Sequence, residues 1–358
     1  MLALHLGPSS ISLTDTVKGR MRYWNSSLTR LVESRLRLPS AFLSPHLLFL
    51  GFILGGAAFV RARCVRPLRA RRHGTAVRIA FVGNSIQYYY DMPRLMEALC
   101  SVRIVQDSCF RSGATLPSLL AEGSSMSDDF GISPHAKCAD GSLDVGAPSV
   151  PSLLLGARRP WDYCVLNDVT LGPAREATRN ASIAALVSEY APMLRQCGAR
   201  PILLMNYAYR EAVRNDRVDS TDLGDHATLT HRLRDGLDAY AAALAAVLPA
   251  AQAPRVAPLG MAMLAVQEER PELWRDLFHP DHRHLSARGA FLQACVLHCT
   301  ILSSTPPVVA DPSALYARAR CLGWDAPDAS NAPPTVEEAS YLTSVAERVV
   351  RTPCRAVL

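Results

Sequence analysis

The stretch VRIAFVGNSIQYYY, residues 77–90, decides how this chain is read. Val77–Val82 is a short, largely apolar run that stops at Gly83, as a buried parallel strand does. Ser85 then falls at a strand-to-helix turn, with its hydroxyl at the mouth of whatever crevice forms there. Backbone N–H groups at such a turn can hold an oxyanion. Taken alone, Gly83-Asn84-Ser85 is equally ordinary turn and helix-cap chemistry. The functional reading therefore needs support from elsewhere in the chain.

Outward from this stretch, strands and helices alternate. Met92–Cys100 reads as a helix, Val102–Gln106 as a second strand and Asp162–Leu166 as a third. Ala181–Cys197 reads as a helix stopped by Gly198, and Pro201–Asn206 as a fourth strand. Leu229, Leu233, Leu237, Tyr240, Leu244 and Leu248 form one helical stripe. Arg255–Pro258 is a short fifth strand, and Ser286–Leu302 a helix that follows a His-rich loop. Five strands alternating with helices predict an α/β, three-layer, doubly wound sandwich with a parallel sheet. In such a fold the site lies at the carboxyl ends of the strands. Gly123–Pro151 reads as a surface insertion and Ser303–Pro334 as irregular. Thr335 and Glu338 form a capping box that opens a terminal helix.

The 358 residues are 49% hydrophobic and 20% charged, which excludes a disordered chain or a collagen. The net charge of +6 is uneven. Residues 1–73 hold twelve basic side chains and two acids, Asp15 and Glu33, so the remainder is mildly acidic. A domain of that balance lacks the basic face that nucleic-acid binding requires. Residues 41–60, AFLSPHLLFLGFILGGAAFV, carry no charge and have the length of a membrane span. The expected layout is a basic tail (1–40), a single signal-anchor helix (41–60), a basic linker (61–76) and a catalytic domain (77–350). A buried hairpin or an organelle presequence would read similarly. The Arg cluster after the span favours a cytosolic domain. The C-terminal domain and a sequon at Asn180-Ala181-Ser182 favour the lumen of the secretory pathway or Golgi. The ten Cys include no CxxC pair, so nothing suggests a zinc ribbon.

Support for Ser85 comes from Asp281-His282-Arg283-His284-Leu285-Ser286. An activated Ser needs a base, and the base an orienting acid. Asp281 and His284 stand three apart, so one turn can set the carboxylate on one ring nitrogen and leave the other for Ser85. His279, Asp281, His282 and His284 also offer four potential metal ligands, but no second cluster completes a site. Gly113, after the second strand, lets a backbone N–H approach a ligand closely. Asn167, at the end of the third strand, offers an amide to a developing oxyanion.

With these residues in place, the chain resembles the SGNH (GDSL-like) hydrolase superfamily. FVGNSI resembles its first block, Gly113 its second and Asn167 its third, and DHRH its terminal D-x-x-H. The likeness is to a branch that begins GNS-(F/Y)-T-Y-Y, and it covers about residues 77–350. Val165 stands where the third block usually has Gly, and Leu285 where the branch has Pro. The resemblance implies a cofactor-free, metal-free Ser esterase acting on acyl or acetyl esters of a small molecule or glycan. Ser85, His284 and Asp281 would form the triad, and Ser85, Gly113 and Asn167 the oxyanion hole. O-acyl transfer to a glycan by the same residues, or a non-catalytic binding protein, remain open readings.

Overall fold

The computed structural model describes residues 76–126, 146–214, 219–319 and 332–352. The expected membrane span at 41–60 lies outside them. No helix among the described residues is long and apolar enough to cross a membrane.

Five strands form one fully parallel sheet in the order β2-β1-β3-β4-β5. They are β1 Val77–Gly83, β2 Ile104–Phe110, β3 Tyr163–Leu166, β4 Arg200–Leu204 and β5 Arg255–Ala257. Because side chains alternate along a strand, β1 feeds two cores. Ile79 and Phe81 enter one hydrophobic cluster, and Ala80 and Val82 the other. The first cluster is closed by helices α2 (Met92–Leu99), α8 (Leu259–Glu269), α10 (Ala287–Leu302) and α12 (Val336–Arg351). The second is closed mainly by α4 (Val150–Leu155), α5 (Glu176–Ala185), α6 (Ala191–Cys197) and α7 (His226–Val247). The sheet thus lies between two helical layers, the architecture its strand–helix alternation predicts.

The remaining helices are short: α1 (Ser85–Tyr88), α3 (Leu116–Glu122), α9 (Pro271–Asp276) and α11 (Pro312–Ala319). The α11 helix lies within the stretch expected to be irregular, and α4 begins at the end of the expected insertion. The second strand starts two residues later than its apolar run suggests and continues through Asp107-Ser108-Cys109-Phe110. It can carry these polar residues because it is an edge strand, buried mainly at its two ends. The expected helix over 181–197 starts earlier, at Glu176, and passes through a π turn at Leu186–Tyr190 before α6. Pro192 sits at the start of α6, where its missing N–H removes an intrahelical bond. The stripe on α7 is buried as its spacing requires, and the Thr335–Glu338 capping box opens α12.

The strand order places β1 between β2 and β3, so the connections leaving the carboxyl ends of the neighbours β1 and β3 run in opposite directions, toward β2 and β4. This switch point is where α/β sheets open a crevice. Gly83, Gly113 and Asn167 lie just beyond the carboxyl ends of these three strands or at them.

Candidate active site

Gly83 ends β1 in direct contact with the next block of the site. A Cβ there would lie 1.8 Å from Asn167 Oδ1 and 2.6 Å from Gln87 Nε2. Asn84 then caps α1: its Oδ1 accepts from the Ile86 N–H at 3.1 Å, and its Nδ2 donates to the Ala114 carbonyl at 2.9 Å. Ser85 is the first residue of α1 and is 8% exposed. Helix-opening N–H groups have no intrahelical acceptor. Among the described residues, neither the Ser85 nor the Gly113 N–H has a hydrogen-bond partner. Gly113 has φ of +63° and is exposed, with nothing near its absent Cβ.

The chain after α1 turns tightly. Tyr90 (φ 53°) and Asp91 (φ 46°) both adopt left-handed backbone, at a typical cost of about 1–3 kcal/mol each. Tyr90 is 2% exposed in the core, and the Asp91 carboxylate forms a buried ion pair with Arg94. These contacts hold the turn. Tyr88 and Tyr89, left half-buried, border Ser85 and the His-rich loop.

That loop is closed by bridging between Phe278 and Leu285, and by the His279 N–H on the His284 carbonyl at 2.8 Å. Asp281 folds it further: Oδ1 accepts from the N–H groups of Arg283 and His284, each at 2.9 Å. Its Oδ2 lies 2.5 Å from His284 Nδ1, and His284 Nε2 lies 2.9 Å from Ser85 Oγ. Burial alone would raise the Asp281 pKa. The His284 ring, its charge and the two backbone N–H groups outweigh burial and hold the carboxyl well below the usual range. Leu285, in the position where the resembled branch has Pro, is buried and leads to Ser286, the cap of α10.

The other histidines go elsewhere. His282 Nε2 meets Arg210 Nη2 at 2.6 Å, and its Nδ1 lies 3.4 Å from Glu211. His279 lies edge-on to Tyr89. Among the described residues, no three His, Cys, Asp or Glu side chains converge as metal ligands do.

Asn167 stands where the sequence reading puts it, but both of its amide protons are committed. Nδ2 donates to Asn84 Oδ1 and to the Asp168 carbonyl, each at 3.0 Å. Oδ1 accepts from Gln87 Nε2 at 2.6 Å and from the Asn84 N–H at 3.3 Å. The orientation follows from Asn84, whose Oδ1 is already an acceptor for Ile86 and must face a donor. Asp168 is a second buried anchor. Its carboxylate accepts from Ser182 at 2.6 Å, Tyr240 at 2.7 Å and the Leu116 and Val169 N–H groups. Burial nevertheless pushes its pKa up, with those donors opposing.

The sequence reading did not assign Gln87, Asp168 or the Tyr88 and Tyr89 contacts. Three consecutive tyrosines after Ser85 were the available signal, and they are as compatible with core packing, as Tyr90 illustrates. Chemically, the Ser85–His284–Asp281 line can move a proton from the hydroxyl to the imidazole while the carboxylate balances the charge.

No known family's sequence profile matches the chain, and no curated protein matches it in sequence. Among solved structures, it is similar to a DUF4886 family protein from Bacteroides uniformis. The two share 14% identity with a TM-score of 0.52, over 78% of this chain and 96% of that one. A gut microbial diltiazem-metabolizing enzyme aligns more loosely, with a TM-score of 0.34 and 13% identity over 66% of this chain and 48% of that one. That second fit is too poor to carry an argument. The first shows a shared α/β fold.

Proposed function

We propose that this chain is an SGNH-type serine esterase that cleaves acyl or acetyl esters. The observation that carries the reading is the hydrogen-bonded line from Ser85 Oγ through His284 to Asp281. Ser85 Oγ attacks the ester carbonyl as its proton passes to His284 Nε2. The N–H groups of Ser85 and Gly113 receive the developing oxyanion. The sequence-based third donor is the Asn167 amide, whose two protons are engaged within the site. Collapse of the intermediate breaks the ester C–O bond, and the leaving alkoxide takes the proton from His284. Water then attacks the acyl-Ser85 with His284 again as base, releasing the acid.

The test is labelling of the full-length chain with a fluorophosphonate probe. Wild type is expected to label and Ser85→Ala to be inert. An unlabelled wild type, or labelling that survives Ser85→Ala, would overturn the assignment.

Anchoring through residues 41–60, with the domain in the lumen, belongs to the same proposal. Asn180 is exposed on α5, a helix that starts before it rather than after it. The sequon's Ser182 is fully buried, and its hydroxyl is held by Asp168. Glycosylation at Asn180 therefore has to precede folding. A glycosidase-sensitive mass shift lost with Asn180→Gln is the expected result. A second sequon, Asn25-Ser26-Ser27, lies on the other side of the span, and a shift lost only with Asn25→Gln would place the domain in the cytosol.

A further inference from the structure

Gly113 is exposed, with φ of +63° and nothing within 4 Å of the place a Cβ would take. Its N–H is therefore aimed by the residues on either side of it. Before it, the Arg111 N–H donates to the Gly83 carbonyl at 3.1 Å and the Ser112 N–H to Ser125 Oγ at 3.3 Å. After it, the Ala114 carbonyl accepts from Asn84 Nδ2 at 2.9 Å, and the Leu116 N–H donates to Asp168 Oδ1 at 3.1 Å. Leu116 opens α3, so this N–H has no intrahelical acceptor, and the Asp168 carboxylate takes that place.

Asp168 is itself fixed from several directions and is 2% exposed. Its Oδ2 accepts from Ser182 Oγ on α5 at 2.6 Å and from the Tyr240 hydroxyl on α7 at 2.7 Å. Its Oδ1 accepts from the Val169 N–H at 2.8 Å as well as from Leu116. Its backbone carbonyl accepts from the Asn167 amide at 3.0 Å and the Asn206 amide at 2.9 Å. One bond of this set, to Leu116, reaches the turn that carries Gly113.

We propose that Asp168 is a positioning residue for the oxyanion hole, which acts through Leu116 to set where the Gly113 N–H points. The inference rests on the esterase reading, in which that N–H receives the oxyanion. A hydrogen bond to a carboxylate is stronger than a neutral one. The carboxylate cannot swing to follow a moving turn, because Ser182 and Tyr240 hold its other oxygen. The helical layer formed by α5 and α7 is thus coupled to the turn, and the donor is preorganised before the ester arrives.

The experiment compares wild type, Asp168→Ala, Asp168→Asn, Leu116→Pro, Leu342→Ala and Ser85→Ala as purified full-length chains. Its readouts are kcat and KM for p-nitrophenyl acetate, fluorophosphonate labelling and the thermal unfolding midpoint, with kinetics run well below each midpoint. Asp168→Ala removes the acceptor and is expected to lower kcat about 10²-fold, as a misplaced group does, with KM within about twofold. Asp168→Asn keeps one oxygen for the Leu116 and Val169 N–H groups. Its NH₂ then faces the Ser182 and Tyr240 hydroxyls, which can accept, so kcat should recover to within about threefold of wild type. Leu116→Pro deletes the N–H itself, at a first helical position that suits Pro, and should match Asp168→Ala. Leu342 is buried on α12, in the opposite helical layer. Leu342→Ala should lower the midpoint and leave kcat near wild type.

An Asp168→Ala kcat within about threefold of wild type overturns the inference. So does a change confined to KM, or an Asp168→Asn as slow as Asp168→Ala. An equal kcat loss in Leu342→Ala also overturns it, since the effect would then follow stability. If Asp168→Ala does not fold, Leu116→Pro decides by the same limits, and failure of both to fold makes the contact structural and overturns the inference. Failure of the underlying reading looks different: wild type itself would not label, or Ser85→Ala would.

Discussion

The Tyr89 ring lies flat on the His284 imidazole, with centroids 3.8 Å apart and planes 11° from parallel. Asp281 holds the imidazole by one edge, and Tyr89 supports its face. Together they fix the direction in which Nε2 points. Aromatic stacking of this kind contributes about 0.5–1.5 kcal/mol, so Tyr89→Leu is expected to lower kcat/KM about 3- to 10-fold. Tyr89→Phe retains the ring and should stay near wild type. Esterase assays on both variants check this, and an unaffected Tyr89→Leu would leave Asp281 as the sole guide of the base.

The three histidines of the loop should separate cleanly. His284→Ala is expected to match Ser85→Ala, a loss on the order of 10⁴–10⁶ in rate. His282, turned toward Arg210 and Glu211, should tolerate Ala with most activity intact. Steady-state rates of the two variants decide the matter. A dead His282→Ala beside an active His284→Ala would reassign the base.

Asp281 makes a prediction about pH. Its pKa is lowered in the folded chain, so its stabilising contribution is present above the unfolded-state pKa of about 4 and fades as pH falls below it. The gap in unfolding midpoint between wild type and Asp281→Asn should therefore be wide at neutral pH and narrow below about pH 4. Thermal melts across pH 3 to 7 measure it. A gap that widens steadily toward acid would contradict the pairing with His284.

Gly83 and Asn167 should behave as structural partners. A methyl at residue 83 meets Asn167 Oδ1 at 1.8 Å, so Gly83→Ala is expected to cost about 3 kcal/mol or more. Asn167→Ala strips the Asn84 N–H of its acceptor and removes three further bonds. Stability should fall by about 1–3 kcal/mol, read as a lower urea midpoint. An Asn167→Ala chain of unchanged stability but low kcat would restore the amide to the oxyanion.

Strand runs, the helical stripe and the D-x-x-H spacing were legible because each is a local pattern. Apolar runs broken by Gly mark strands, and Asp281 reaches His284 within one turn. What Asn167 does was not legible, because it depends on Asn84, Gln87 and Asp168 meeting in space. Its residue type is equally suited to donating to a substrate and to tying two strand ends together. The left-handed pair Tyr90-Asp91 was hidden for a related reason. Neither residue signals such a backbone by type, and the compensation lies in the burial of Tyr90 and the pairing of Asp91 with Arg94. The exact span of β2 escaped because edge strands tolerate polar residues that a central strand excludes.

Ser85 and His284, joined across 2.9 Å, are 199 residues apart in the chain. During synthesis at about 5–20 residues per second, Ser85 is made roughly 10–40 s before His284. A nascent or C-terminally truncated chain can carry an intact first half and still lack a reactive serine. On the proposed esterase reading, fluorophosphonate labelling also reports that synthesis has passed residue 284, with no labelling expected from fragments that end before it.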